Sequence, residues 1–138
     1  MNEKNNLIKW ATSQLGKKLD WGISDCASLT SEGFKIVYGY DPFPYLEKWK
    51  NKDEALKLYA KVGKPSEILK LDPNFTEIKK NYCQTGDIVI LDTSPMQTTS
   101  IVIDNGILIF DEEKGVILQK FKNIKYNCYC FRGILCQD

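Results

Sequence analysis

The stretch Leu19-Asp-Trp-Gly-Ile-Ser-Asp-Cys-Ala-Ser-Leu-Thr-Ser-Glu-Gly-Phe34, LDWGISDCASLTSEGF, runs a Trp-Gly turn into an apolar pattern of helical spacing. Cys26, Leu29, Thr30, Gly33, Phe34 and Val37 fall on one face of a helix that reaches about Tyr38, where Gly39 supplies the stop. Ser24 or Asp25 can cap its start. Cys26 then lies in the first turn, where unsatisfied N–H groups and the helix dipole favour an anion. A cysteine is reactive as the thiolate, and that position lowers its free pKa of about 8.5. The same donors can hold the oxyanion of a tetrahedral intermediate. Cys26 is therefore the candidate nucleophile, while Cys83, Cys128, Cys130 and Cys136 fall before, within or after strand-like segments. Two facts weigh against it: the chain contains no histidine, and a free cysteine is often a small buried apolar residue.

Outward from this helix, Leu7, Trp10, Ala11 and Leu15 predict a preceding helix over Glu3–Leu15, stopped by Gly16. Gly33 inside a helix costs about 1 kcal/mol relative to alanine, so close approach of another backbone is expected there, most simply a sheet's first strand. YDPFP is a turn. Asn51 can cap a third helix with Ala55, Leu56, Tyr59 and Val62 inward and Gly63 as its stop, and KPSEILKLDP adds one more helical turn. After residue 75 the pattern changes to GDIVILD, TTSIVIDNG, ILIFDEEKG, VILQKF and NCYCFRGIL, short β-branched or aromatic runs separated by turn residues. The expected fold class is α+β, with N-terminal helices packed on a C-terminal antiparallel sheet of five or six strands. A single domain over 1–138 is expected.

Composition narrows the function. The 138 residues carry a formal net charge of +1, and Arg132 is the sole arginine, which argues against nucleic acid as a partner. No apolar run approaches the roughly 18 residues of a membrane span. The N-terminal residues show no signal-peptide pattern, so synthesis in a cytoplasm is expected. Five cysteines without such a signal argue against a disulfide framework. Cys128 and Cys130 have zinc-ligand chemistry, but one intervening residue is short of the usual spacing. In a strand they share one buried face. No metal or cofactor is expected.

DCASLTSEGF resembles the D-C-S-G-L-V helix start of the NlpC-type, papain-like cysteine peptidases, many of which cut peptidoglycan stems. QTGDIVILD is similar to the P-G-D-L-V-F-F strand of that superfamily, and TTSIVIDNGILI to its next strand, H-V-G-I-Y-I-G-N-G-x-M-I. A branch carried on phage and prophage tail gene clusters is closer still. Its W-G-x-x-D-C, G-x-D-P, A-L, G-D-V-V and aromatic-Arg pieces match Trp21-Gly22-x-x-Asp25-Cys26, Gly39 to Pro42, Ala55-Leu56, Gly86 to Val89 and Phe131-Arg132 in order.

The resemblance implies a papain-like NlpC-type fold with Cys26 as nucleophile or remnant, and Trp21, Gly22 and Asp25 as site support. It places Thr98 where the superfamily has its catalytic histidine. A threonine hydroxyl cannot take a proton near pH 7. Loss of acid–base help costs on the order of 10²–10⁴ in rate. The expected function is then a structural or assembly protein of a phage-like tail or baseplate, located in the virion. Its partners would be other tail proteins, docked through aromatics such as Tyr40, Phe43, Tyr45 and Trp49. The alternative is a cysteine hydrolase acting on cell-wall peptide, with a base from a partner chain or a carboxylate. A third reading is a module that still binds peptide or glycan without cutting it. Asp25 as a plain helix cap and Gly86-Asp87 as a strand-opening turn are the structural alternatives at those positions.

Overall fold

The computed structural model describes residues 2–20, 25–43, 50–94 and 96–134, apart from the side chain of Tyr59. Helix α1 spans Glu3–Gln14, and the Asn2 side chain accepts the Asn5 N–H at its start. Leu7 and Ala11 face the core as expected, joined by Gln14. Leu15, expected to be buried, is 46% exposed, because the helix ends one residue before it. Helix α2 spans Cys26–Tyr38 and closes on Gly39 in the left-handed conformation, whose N–H bonds Lys35 O at 2.9 Å. Gly33 does meet a close neighbour, but the neighbour is α1 rather than a strand. A Cβ there would lie 2.8 Å from Trp10 Cζ3 and 3.2 Å from Leu7 Cδ1. The missing side chain lets the two helices pack at the Trp10 ring.

Helix α3 spans Lys52–Val62, and Asn51 caps it by accepting the Glu54 N–H at 2.9 Å. Ala55 is fully buried, while Leu56 and Val62 are half-buried. Helix α4, Pro65–Leu71, runs seven residues and buries Ile68 and Leu69, more than the single turn expected. Proline at its first turn forfeits no helical hydrogen bond.

All six strands are antiparallel, in the order β1-β6-β2-β3-β4-β5. Strands β2 (Ile88–Leu91), β3 (Thr98–Ile103), β4 (Gly106–Asp111) and β5 (Gly115–Lys120) form a meander. Strand β6 (Cys128–Gly133) crosses back to pair with β2, and β1 (Phe75–Ile78) pairs with β6 at the edge. The five apolar runs of the sequence are β2 to β6. The α+β expectation, helices first and an antiparallel sheet after, holds.

Period-two alternation gives the sheet two buried faces. Ile88, Ile90, Ile101 and Ile103 join Leu7, Leu29, Phe34 and Leu69 in the core beneath the helices. Val89, Leu91, Val102, Ile107 and Cys130 form a second cluster with Cys83, Cys128, Phe121 and Ile124. Burial on both sides explains why β2 reads as an unbroken apolar run. Cys128 and Cys130 do lie on one face, as strand alternation requires.

The aromatic corner after α2 belongs to the fold. Phe43, expected as a docking residue, is 3% exposed and part of the core. Tyr38 stacks on Phe34 with centroids 4.3 Å apart. Tyr40 meets Phe34 edge-on at 5.3 Å, and its hydroxyl donates to Ile134 O at 2.9 Å. Aromatic rings crowd here because Phe75 of β1 offers a further apolar wall. Tyr45 and Trp49 lie outside the described residues.

One tether fixes the chain just after α1 against β5. Gly16 N–H donates to Val116 O, and Val116 N–H donates to Lys17 O, both at 2.9 Å. Gly115 beside them has φ +78°, and a Cβ on it would sit 2.5 Å from Lys17 O. Only glycine fits that crossing.

Candidate functional site

Cys26 is the first residue of α2, and the helix is anchored on both sides of it. Asp25 Oδ1 accepts the Ser28 N–H at 2.9 Å, and Oδ2 accepts from the Ser28 hydroxyl at 3.1 Å. Thr30 Oγ1 donates to Cys26 O at 2.7 Å. Asp25 is thus the helix cap, 1% exposed. Its carboxylate occupies a first-turn N–H that would otherwise be open to an incoming anion.

Strand β3 runs beneath this turn, and its register decides which residue faces the thiol. Thr99 pairs with Ile90, whose side chain is in the helix-side core, and Thr98 pairs with Leu91 on the opposite face. Thr98 Oγ1 lies 2.6 Å from Thr93 Oγ1, and Thr93 in turn donates to Met96 O. The expectation that Thr98 stands beside Cys26 therefore fails by one residue. Successive strand side chains point to opposite faces, and Thr99, fully buried, takes the position. Its N–H and hydroxyl, with the Ala27 N–H, are the groups that would stabilise a Cys26 thiolate. That hydroxyl, fully buried, has no hydrogen-bond partner among the described residues.

These neighbours set the thiol's electrostatics. Burial pushes the Cys26 pKa up, because a thiolate loses its hydration there. The Thr99 N–H works against this by stabilising the anion, the Asp25 carboxylate adds to the rise, and the Thr99 hydroxyl and Ala27 N–H oppose it. The balance is a raised pKa. Helix position alone predicts a lowered one, so desolvation and the adjacent carboxylate outweigh the dipole.

The turn that delivers Thr99 is held by Gln97. Its Oε1 accepts the Ser66 N–H at 3.0 Å, and its Nε2 donates to Ser66 Oγ at 2.9 Å and to Asp92 Oδ1 at 3.1 Å. Ala27 packs with Ala55 of α3, and Met96 and Leu58 close over that contact. Helix α3 thus walls one side of the Cys26 turn. Trp21 and Gly22 lie outside the described residues.

Two further motif pieces meet elsewhere. Arg132 on β6 forms a bidentate pair with Asp87, Nε to Oδ1 and Nη2 to Oδ2, each at 2.9 Å. Nη2 also donates to Tyr82 O at 3.1 Å, and Asp87 Oδ2 accepts the Gln84 N–H at 2.8 Å. Asp87 is 1% exposed. The Gly-Asp and aromatic-Arg motifs, read separately in the sequence, are two halves of one structural clamp. A lone arginine and an aspartate opening a strand were the available signal.

Among the described residues, no group of three or more His, Cys, Asp or Glu could hold a metal ion. No helix among them is long and apolar enough to cross a membrane.

A family model described as a domain of unknown function (DUF6950) matches residues 2–127. The chain belongs to that family. No curated protein matches it. Among solved structures, NlpC2 from Trichomonas vaginalis is similar in fold, with a TM-score of 0.58 and 16% identity over 96% of this chain. This DUF6950 chain spans about half of that one, 47%. The fold is NlpC-like, in agreement with the resemblance carried by DCASLTSEGF and QTGDIVILD.

Proposed function

We propose that this DUF6950 chain is a non-hydrolytic use of the NlpC-like fold, serving as a structural or assembly component of a phage-like tail or baseplate. One observation carries the loss of chemistry: the Cys26 thiol has a raised pKa and faces Thr99, and the chain contains no histidine. A hydrolase of this kind needs a base to form the thiolate and an acid to protonate the leaving amine. The Thr99 hydroxyl cannot accept the thiol's proton near neutral pH. Asp25 is occupied by Ser28 and raises the thiol pKa instead of lowering it.

The tail assignment rests on the W-G-x-x-D-C to aromatic-Arg series, and residence in the virion follows from it. Docking would fall to surfaces other than Phe43, which the core has taken. Two experiments test the proposal. Purified protein and its Cys26→Ser variant are incubated with muropeptides, and product is followed by mass spectrometry. Neither should release product, and turnover by the wild type alone overturns the loss of chemistry. Purified tail particles from a host encoding the chain are analysed by peptide mass spectrometry, and absence of its peptides rules out a virion component.

A further inference from the structure

The second face of the sheet holds a feature that the Cys26 site does not use. Cys83 follows the short 3-10 turn Lys80–Tyr82 and packs against the cluster of Cys130, Cys128, Val89 and Val102. It is half-buried, whereas Cys130 is 2% exposed. Beside Cys83 opens a cavity of about 440 Å³, lined also by Lys80, Lys120, Lys122, Asn81 and Asn105, with Asp104 as its carboxylate. Three ammonium groups against one carboxylate make the cavity basic in a chain whose net charge is only +1. Lys80 Nζ lies 5.4 Å from the Phe121 ring centroid, so part of the charge is held at the wall.

We propose that Cys83 is a thiol modification site for carboxylate-bearing small-molecule disulfides that enter this basic cavity, with Cys130 as the resolving thiol. Both side chains pack in one cluster on this face of the sheet. Their interaction pulls the Cys83 pKa below its ordinary value and, together with burial, pushes the Cys130 pKa up. Cys83 lines the cavity and is half-buried while Cys130 is buried, so Cys83 is the thiol that an entering disulfide meets first.

The chemistry balances with the disulfide as oxidant. The Cys83 thiolate attacks one sulfur of the disulfide; a Cys83–S bond forms, the disulfide bond breaks, and the leaving thiolate takes a proton. Cys83 is then neutral, which removes the largest influence holding the proton on Cys130, while burial and Cys128 remain. Cys130 releases its proton and attacks the Cys83 sulfur, expelling the second thiol. Two electrons and two protons pass from the protein to the disulfide, leaving a Cys83–Cys130 bond and two small thiols. Cys26 takes no part, because it lies at the start of α2, over the other face of the sheet.

Glutathione disulfide, which carries four carboxylates, and the neutral 2-hydroxyethyl disulfide are the probes, used on the full chain near pH 7 with products located by peptide mass spectrometry. The expected first product is a mixed disulfide on Cys83, giving way to a Cys83–Cys130 peptide pair. Lysine steering should make Cys83 react about tenfold faster with the charged probe than expected from the neutral one. Lys120→Gln with Lys122→Gln should bring the ratio of the charged-probe rate to the neutral-probe rate down toward one, and both lysines are exposed. Cys130→Ser should hold the mixed disulfide. First modification at Cys26 or Cys128, no Cys83–Cys130 bond in the wild type, or no charge preference between the probes overturns the proposal.

Discussion

Arg132→Ala tests whether the clamp between the two motif pieces holds the sheet together. The substitution removes two hydrogen bonds to Asp87 at 2.9 Å and one to Tyr82 O at 3.1 Å. It leaves a carboxylate that is 1% exposed with only the Gln84 N–H as hydrogen-bond partner among the described residues. Breaking a fully buried pair costs 3–5 kcal/mol. The Arg132 side chain is 34% exposed, so water can reach part of the vacated space, and about 2–3 kcal/mol is expected. At this chain length that corresponds to a fall in Tm of roughly 6–12 °C. Urea unfolding followed by tryptophan fluorescence gives the free energy directly. Asp87→Asn removes the charge that needs Arg132, so the double variant should lose at least about 1 kcal/mol less than the sum of the singles. A loss below about 0.5 kcal/mol for Arg132→Ala, or strict additivity, refutes a buried, mutually dependent pair.

Three other perturbations follow from particular contacts. Gly115→Ala should destabilise by about 2–3 kcal/mol, from its left-handed backbone and the clash with Lys17 O; a thermal melt within a degree of wild type contradicts the tether. Asp25→Asn keeps an oxygen to cap Ser28 but removes the charge that raises the Cys26 pKa. The pH midpoint of Cys26 alkylation should fall while the melting temperature stays within about 2 °C, since aspartate and asparagine cap almost equally. Thr99→Val removes a hydroxyl that stabilises the thiolate, so the same midpoint should rise; an unchanged midpoint means the hydroxyl does not reach the sulfur.

The helices were legible because each carries its own punctuation. Asn51, Gly39 and Gly63 mark ends that the fold uses, and α2 is set by the face that runs from Leu29 to Phe34. Strand β1 was not resolved as a separate run, because FTEI is short and polar at its middle and gains its partner only when β6 returns to the sheet edge. Gly33 announced a close contact but not its source: a glycine reports absent volume, and the Trp10 ring filled it. In the site, Cys26 and Asp25 were placed by the helix start, a local signal. Thr99 was missed because the facing residue depends on strand phase. Ile101 and Ile103 on the helix side held that information, since counting back by two from Ile101 reaches Thr99 and not Thr98. The thiol's pKa was illegible for a similar reason. Position favours the anion, but desolvation comes from residues distant in sequence.

A thiol with nucleophile position but without nucleophile activation is the central claim. Its most direct test is the pH dependence of iodoacetamide alkylation at Cys26, read by peptide mass spectrometry in the native protein and again in urea. Raised pKa means that the native midpoint lies above the urea midpoint, and Cys26 remains mostly unalkylated near pH 7 while the unfolded chain has begun to react. A native midpoint below that in urea means an activated thiolate, which contradicts the account.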